Sequence, residues 1–301
     1  MQQSPVFFEK KTLNDPEFPV QIINCSHSEK NWRMVFSREY AVNDYTHLEG
    51  SDCFIHWHEH LEMHYALEGT GCVQINQTFH DLAPGDLAIV NPCEIHGDRC
   101  NTPPYSYVAI IFEMKDVSKE LAEMNVLFRP VIRQDKTIAS LFERLHEESL
   151  SPLPGSKQVC KALVLDLIVY LIRHYTAQTL NDRESRQRKK DMMRLSAALQ
   201  HIDRNYHLPL TNADLAEASH MSESRFNHLF RQIVGVPPMK YLIDVRLRKA
   251  MNMLTTSHTS VTDVCYTTGF RDYNNFGRLF LKRFGITPTQ ACQKPEDLTG
   301  R

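Results

Sequence analysis

The sequence predicts an α+β chain in two parts, an antiparallel β front half with helices appended and an all-α back half. Three observations predict it. Short β-type runs separated by turn signals crowd residues 31–113, a helical period sets in at Ile138, and residues 191–292 contain one two-helix unit twice. At 301 residues the chain is about twice a typical domain. Its 42% apolar and 23% charged residues exclude collagen-like, coiled-coil-only and broadly disordered chains.

The β-type runs are 54–58, 63–67, 72–75, 87–90 and 107–112, with turns expected at Glu68-Gly69, Ile75-Asn76, Pro84-Gly85-Asp86 and Pro103-Pro104. Strands this short and regularly spaced form a sandwich or a small barrel. Ile138, Leu141, Phe142 and Leu145 then fall at i, i+3, i+4 and i+7, one face of a helix. After the breaker Ser151-Pro152-Leu153-Pro154-Gly155, a second helix is expected from Ser156 to Tyr175. Its apolar residues (Val159, Leu163, Leu165, Leu167, Ile168, Tyr170, Leu171, Ile172) cover more than one stripe, so it packs on its own domain and on a second surface, for which a subunit partner is the natural candidate. Helices over about 137–178 complete a first domain of residues 1–180. Residues 181–190 (NDRESRQRKK) lack large apolar side chains and read as an exposed linker, 191–292 as the all-α domain and 293–301 as a tail.

The net charge of −2 averages −9 over residues 1–180 and +7 over 181–301. An acidic front and a basic back follow. Met1-Gln2-Gln3-Ser4-Pro5 has neither the basic nor the apolar region of a secretory signal, and the run 162–172 is interrupted by Asp166 and shorter than the roughly 20 residues that cross a bilayer. A cytoplasmic protein without a membrane partner is expected. The eight cysteines form no CxxC pair and read as reduced thiols.

In the basic half, Phe226-x3-Phe230-x4-Gly235 recurs 50 residues later as Phe276-x3-Phe280-x4-Gly285. Upstream the offset is 49 (Asp214 to Asp263, Met221 to Phe270), which places one extra residue in the second copy's turn. Thr211-x-x-Asp214 and Ser260-x-x-Asp263 are cap signatures, Ser222 and Asp272 cap the following helices, and Gly235 and Gly285 suit helix ends before Pro237-Pro238 and Pro288. A short capped helix, a tight turn and a second capped helix make a helix-turn-helix, whose second helix enters the DNA major groove. With the Phe residues assigned to the core, the first reading helix shows Ser224, Arg225, Asn227, His228 and Arg231, and the second shows Tyr273, Asn274, Asn275, Arg278 and Lys282. Arg matches guanine O6/N7 and Asn matches adenine N6/N7, whereas residues further along each helix meet phosphate.

At these residues the chain resembles the AraC/XylS family of transcription regulators: Leu210-Thr211-x3-Leu215-Ala216, Ser222-x3-Phe226, Arg246-x3-Ala250-x3-Leu254, Val261-Thr262-Asp263-Val264 and Gly269-Phe270 through Gly285-Ile286-x-Pro288. The resemblance covers about 100 residues. It implies a long helix from Pro238 to Leu254 between the two units, with both reading helices in successive major grooves about 34 Å apart.

The acidic half holds Gly50-x5-His56-x-His58-x3-Glu62-x6-Gly69, which resembles the first motif of the cupin barrels, followed by Gly85-Asp86 and Pro92-x3-His96, which departs from the second motif in spacing. The resemblance implies that His56, His58, Glu62 and His96 face into a β-barrel, where metal cupins hold a divalent metal. Three readings stay open. The favoured one is a metal-free pocket in which these residues bind a polar effector; the others are a metal-assisted sensor or cupin enzyme, and a core whose polar groups satisfy one another. His60, His64 and His80 are expected to be exposed or structural. The whole reads as a cupin-like antiparallel β-barrel with dimerisation helices joined to a double helix-turn-helix. It is expected to be a homodimeric transcriptional regulator, activator or repressor, without catalytic residues or cofactor, whose partners are double-stranded DNA, a small effector of carbohydrate class and RNA polymerase. The alternative is a metal-dependent cupin sensor or enzyme fused to a DNA-binding domain.

Overall fold

The computed structural model describes residues 7–8, 18–27, 32–36, 56–150, 153–256 and 259–292. Gly50, Phe54-Ile55, Ser151-Pro152 and the tail 293–301 lie outside them. The strands of the front half are β1 (Phe7–Phe8), β2 (Val20–His27), β3 (Trp32–Phe36), β4 (His56–Trp57), β5 (Leu61–Ile75), β6 (Thr78–Leu82), β7 (Leu87–Val90) and β8 (His96–Phe112). Short helices α1 (Met114–Val117) and α2 (Lys119–Glu123) lead to β9 (Val126–Phe128) and β10 (Val131–Ile132), then to α3 (Lys136–Leu150), α4 (Ser156–His174) and β11 (Thr176–Thr179). Among the described residues nine strands join in one sheet along the path β1-β4-β8-β5-β7-β10, with β2 added beside β8, β3 beside β2 and β6 beside β5, while β9 and β11 pair separately.

The sheet is organised by the β5–β8 ribbon, paired antiparallel from Leu61↔Phe112 to Ile75↔His96. The runs 63–67 and 72–75 are therefore one strand, and the turns expected at Glu68-Gly69 and Pro103-Pro104 are instead a kink inside the ribbon. The register shifts three times between Ala66 and Gly71, and an interrupted ladder tolerates both a Pro without an N–H and a Gly at φ 71°. A Cβ on Gly69 would stand 1.9 Å from the Pro104 carbonyl oxygen, so the kink needs glycine.

Alternation divides the ribbon into two faces. Leu61, Met63, Tyr65, Val108, Ile110 and Phe112 form a core with Phe142 and Leu145 of α3 and Leu163, Leu167 and Leu171 of α4. The opposite face, with Ala66, Val73, Ile75, Val90, Ala109 and Ile111, lines the interior of the sheet. Glu62 pairs with Ile111, 15 residues along β8 from His96, a span of about 50 Å in a straight strand. Yet His96 Nε2 is 3.6 Å from Glu62 Oε2. The ribbon folds back on itself, which is the barrel-like curvature the strand spacing predicts.

The chain divides into two compact units, Met1–Met192 and Met193–Arg301. Residues 181–190, expected as a linker, are exposed apart from the half-buried Ser185 and Arg188 but form the start of a helix, α5 (Asp182–Asn205). Asn181 Oδ1 accepts from the Glu184 N–H at 3.0 Å and Glu184 Oε2 accepts from the Asn181 N–H at 2.9 Å, a reciprocal cap. The second unit continues with α6 (Asn212–Ala218), α7 (Glu223–Val234), α8 (Pro238–Thr256), α9 (Val261–Thr267), α10 (Tyr273–Phe284) and α11 (Pro288–Ala291). Thr211, Ser222, Ser260 and Asp272 cap the helices as expected, and Gly235 and Gly285 end theirs in the left-handed conformation. Phe226 and Phe230 are fully buried with ring centroids 5.5 Å apart, and Phe276 and Phe280 repeat the arrangement at 5.6 Å. Arg271 is the extra residue of the second turn.

Candidate functional site

The first cluster forms because cross-strand pairing and strand alternation converge on one spot. Pairing of β4 with β8 sets His56 opposite His96, with ring centroids 4.1 Å apart. His58 follows His56 on the same side, and Glu62 enters from β5. His58 Nε2 lies 2.6 Å from Glu62 Oε2. One ligand atom from each of His56, His58, Glu62 and His96 lies within 4.8 Å of all the others, and the last three residues are buried. The structure thus brings together all four residues that the sequence singles out.

It also adds three. His64 Nε2 lies 2.6 Å from the second oxygen of Glu62, His64 Nδ1 lies 3.0 Å from Asp98 Oδ1, and the Tyr107 hydroxyl donates to Asp98 Oδ2 at 2.9 Å. Tyr107 stacks on His64 with centroids 4.9 Å apart. His64 is buried in the network, and the signal for it was the two-residue step from Glu62 to His64 and from His96 to Asp98 along single strands. His60 is also buried, its Nε2 4.0 Å from Glu113 Oε1, and His80 is half-buried.

Electrostatics account for the arrangement. Burial alone would lower the His64 pKa, but the charge and contact of Asp98, then those of Glu62, push it up to about 10. Burial would raise Asp98, and the His64 cation holds it below the usual carboxylate range. The His64 imidazole therefore sits between two buried carboxyl groups. His96 is lowered by burial and then by His56, which leaves a neutral ring. Its Nδ1 meets the Glu94 carbonyl at 3.0 Å, and its buried Nε2 makes no hydrogen bond. A neutral imidazole nitrogen facing two further histidines and a carboxylate is a donor set that a divalent metal of the zinc, manganese or iron type fits.

The second site lies on α7 and α10. At about 100° per residue, Ser224, Arg225, Asn227, His228 and Arg231 cover one continuous side of α7, opposite Phe226 and Phe230. All are exposed except the half-buried Asn227, whose Nδ2 donates to the Glu223 carbonyl. On α10, Asn274, Asn275, Arg278 and Lys282 form the corresponding exposed stripe, whereas Tyr273 stands off it on the first turn. Arg278 Nη2 donates to Asn275 Oδ1 at 2.9 Å, which presents the two as a pair. Three other arginines of this unit are committed elsewhere. Arg283 and Arg248 both hold Asp244, and Arg246 donates to the carbonyls of Tyr206 and Leu208.

Comparison with known proteins matches residues 45–168 to the AraC-like ligand binding domain and residues 215–294 to a helix-turn-helix domain family. An uncharacterized HTH-type transcriptional regulator of Haemophilus influenzae is 24% identical over 254 residues, covering 75% of this chain and 84% of that one. The HTH-type transcriptional activator RhaS of Escherichia coli O1:K1 / APEC is 23% identical over 253 residues, covering 79% and 87%. A solved transcriptional regulator from Chromobacterium violaceum with an AraC-type DNA-binding domain aligns with 33% of this chain and 89% of its own, at 27% identity and a TM-score of 0.32.

Proposed function

We propose, for a chain that belongs to the AraC family of DNA-binding transcription regulators and carries that family's ligand-binding domain, that it is a homodimeric activator governed by a small polar effector of carbohydrate class. The observation that carries the DNA-reading part is the pair of capped twelve-residue helices, α7 and α10, that bury the same Phe pair and expose polar, basic stripes. Ser224, Arg225, Asn227, His228 and Arg231 read one major groove and Asn274, Asn275, Arg278 and Lys282 the next, with Tyr273 at the margin. The half-buried Leu165 and Val169 of α4, with the exposed Leu150 and Leu153, support a subunit contact. RNA polymerase is the partner that an activator bound beside a promoter engages.

Footprinting with a salt titration tests this reading. Sequence-specific protection, with affinity falling steeply as salt rises, is expected; no protection on any promoter fragment overturns it. Arg278→Ala should lose about 1–3 kcal/mol at one base position, whereas uniform loss across sequences would make Arg278 a phosphate contact.

In the front unit, His56, His58, Glu62 and His96 are the effector-responsive residues. The buried, unbonded Nε2 of His96 favours a second reading, in which the same four residues hold a divalent metal. A metal there would supply Lewis acidity toward a polar ligand. No helix among the described residues is long and apolar enough to cross a membrane. Metal analysis of protein purified without chelator, beside a thermal-shift screen of sugars on the native chain and on Glu62→Gln, separates the readings. Stoichiometric metal lost in Glu62→Gln supports the metal; a sugar-induced rise in Tm in metal-free protein supports the bare pocket.

A further inference from the structure

The first turns of α5 make polar contacts to the β strands and loops of the same unit. From Asp182 to Asp191 no side chain is buried; Met192 is the first, at 1% exposure. Asn125 Nδ2 donates to Asp182 Oδ1 at 3.0 Å, and Arg188 Nε donates to the Pro92 carbonyl at 3.2 Å. Arg188 Nη2 lies 3.2 Å from Glu94 Oε1, and Lys189 Nζ lies 2.5 Å from Glu59 Oε2. Beneath them is a cavity of about 250 Å³ whose walls include Leu61, Cys93, Leu121, Phe128, Arg188 and Lys189, so apolar packing does not seal this part of the helix. An element held in this way opens more readily than the core it rests on.

Three of these four contacts, those of Arg188 and Lys189, anchor on the histidine cluster's own loops. Glu59 stands between His58 and His60, while Pro92 and Glu94 lead into His96. The two loops are bonded to each other, the Cys93 N–H donating to the His58 carbonyl at 2.9 Å. The Glu94 carbonyl meets His96 Nδ1 at 3.0 Å, and the Glu94 carboxylate accepts from the Asn91 N–H at 2.9 Å. Each loop therefore turns one side toward the cluster and the other toward α5.

We propose that Arg188 and Lys189 form a clasp coupled to the His56–His58–Glu62–His96 cluster: an occupant that fixes the loops carrying His58 and His96 tightens their grip on α5, and its loss frees the helix that runs on into the DNA-reading unit. The proposal rests on the reading that this cluster is the responsive site of the front unit. Coupling between two sites is reciprocal, so opening the clasp must also loosen the loops.

Hydrogen exchange on the full chain tests it in four states: native, Arg188→Met/Lys189→Met, His58→Asn/His96→Asn, and native with Zn²⁺. The clasp variant is expected to raise exchange about threefold or more at 183–192 and at 57–61 and 91–96, leaving β2 and α7 unchanged. The histidine variant, although neither residue lines the cavity beneath α5, should raise exchange at 183–192. Unaltered exchange there overturns the proposal, as does an equal rise in every segment, which marks the histidines as merely structural. If Zn²⁺ slows both regions, the occupant is a metal. If Zn²⁺ has no effect while the histidine variant opens α5, the clasp stands and the metal reading falls.

Discussion

Gly269 holds φ at 88° in the turn before α10, and a Cβ there would lie 2.8 Å from the His207 carbonyl oxygen and 3.0 Å from Arg246 Nε. Gly277, within α10, has nothing within 4 Å of the same ideal position. Two glycines eight residues apart thus call for opposite outcomes. Gly269→Ala adds both a left-handed strain and a backbone collision and should cost about 1–3 kcal/mol. Gly277→Ala removes a flexible residue from a helix interior and should gain about 0.5–1 kcal/mol. Urea unfolding of the two variants checks both, and equal shifts would contradict the packing described for this turn. The first copy meets the same demand with His220 at φ 52°, a substitution the repeat itself does not reveal. The cluster was legible to the same degree. His56, His58, Glu62 and His96 stand out as residue types at a spacing, whereas His64 and Asp98 carry only a two-residue strand step from Glu62 and His96, and Tyr107 joins through β5–β8 register and the curl of the ribbon, which no local pattern encodes.

At the scale of elements, α3 and α4 are pinned by one carboxylate. Asp135 Oδ1 accepts from the Thr137 and Ile138 N–H groups at 2.8 and 2.9 Å, capping α3. Its Oδ2 accepts from the Tyr170 hydroxyl of α4 at 3.0 Å and from the Tyr175 hydroxyl at 2.6 Å. Burial would raise the Asp135 pKa, but the Tyr175 bond and then the others hold it below the ordinary carboxylate range. A depressed folded-state pKa contributes stability that is complete above the unfolded value near 4 and is lost as the pH falls through the lower folded value. Asp135→Asn should therefore cost about 1–2 kcal/mol at neutral pH and show a smaller stability loss between pH 4 and 2 than the native chain, measured by denaturation across that range. The helix period of α3 and α4 was plain in the sequence because both bury a regular stripe. The start of α5 was not, because 182–191 bury nothing and periodicity had no signal; only Asn181-x-x-Glu184 marked the helix. The single long strand β5 was hidden for a related reason, since Gly69 and Pro104 punctuate a kink with the residues that elsewhere punctuate a turn.

On the scale of the whole molecule, the −9 of residues 1–180 and the +7 of residues 181–301 assign different tasks to the two parts. Non-specific attraction to DNA depends on the cations that displace counterions from phosphate, and these belong to the basic part. Operator affinity depends in addition on how many reading units a single complex delivers, which under the proposed dimer is two. A fragment of residues 182–301 keeps α5 whole and retains the charge of +7. Its binding to random-sequence DNA should show nearly the salt slope of the full chain, because the same Lys and Arg side chains meet phosphate. Its affinity for a two-site operator should fall by about 10²–10⁴, because the second unit no longer binds at the raised effective concentration that a dimer provides. Fluorescence anisotropy at several salt concentrations reads both quantities on one pair of proteins. A fragment that matches the full chain on the operator would place dimerisation outside the front unit, and a changed slope on random DNA would mean that residues 1–180 also touch the duplex.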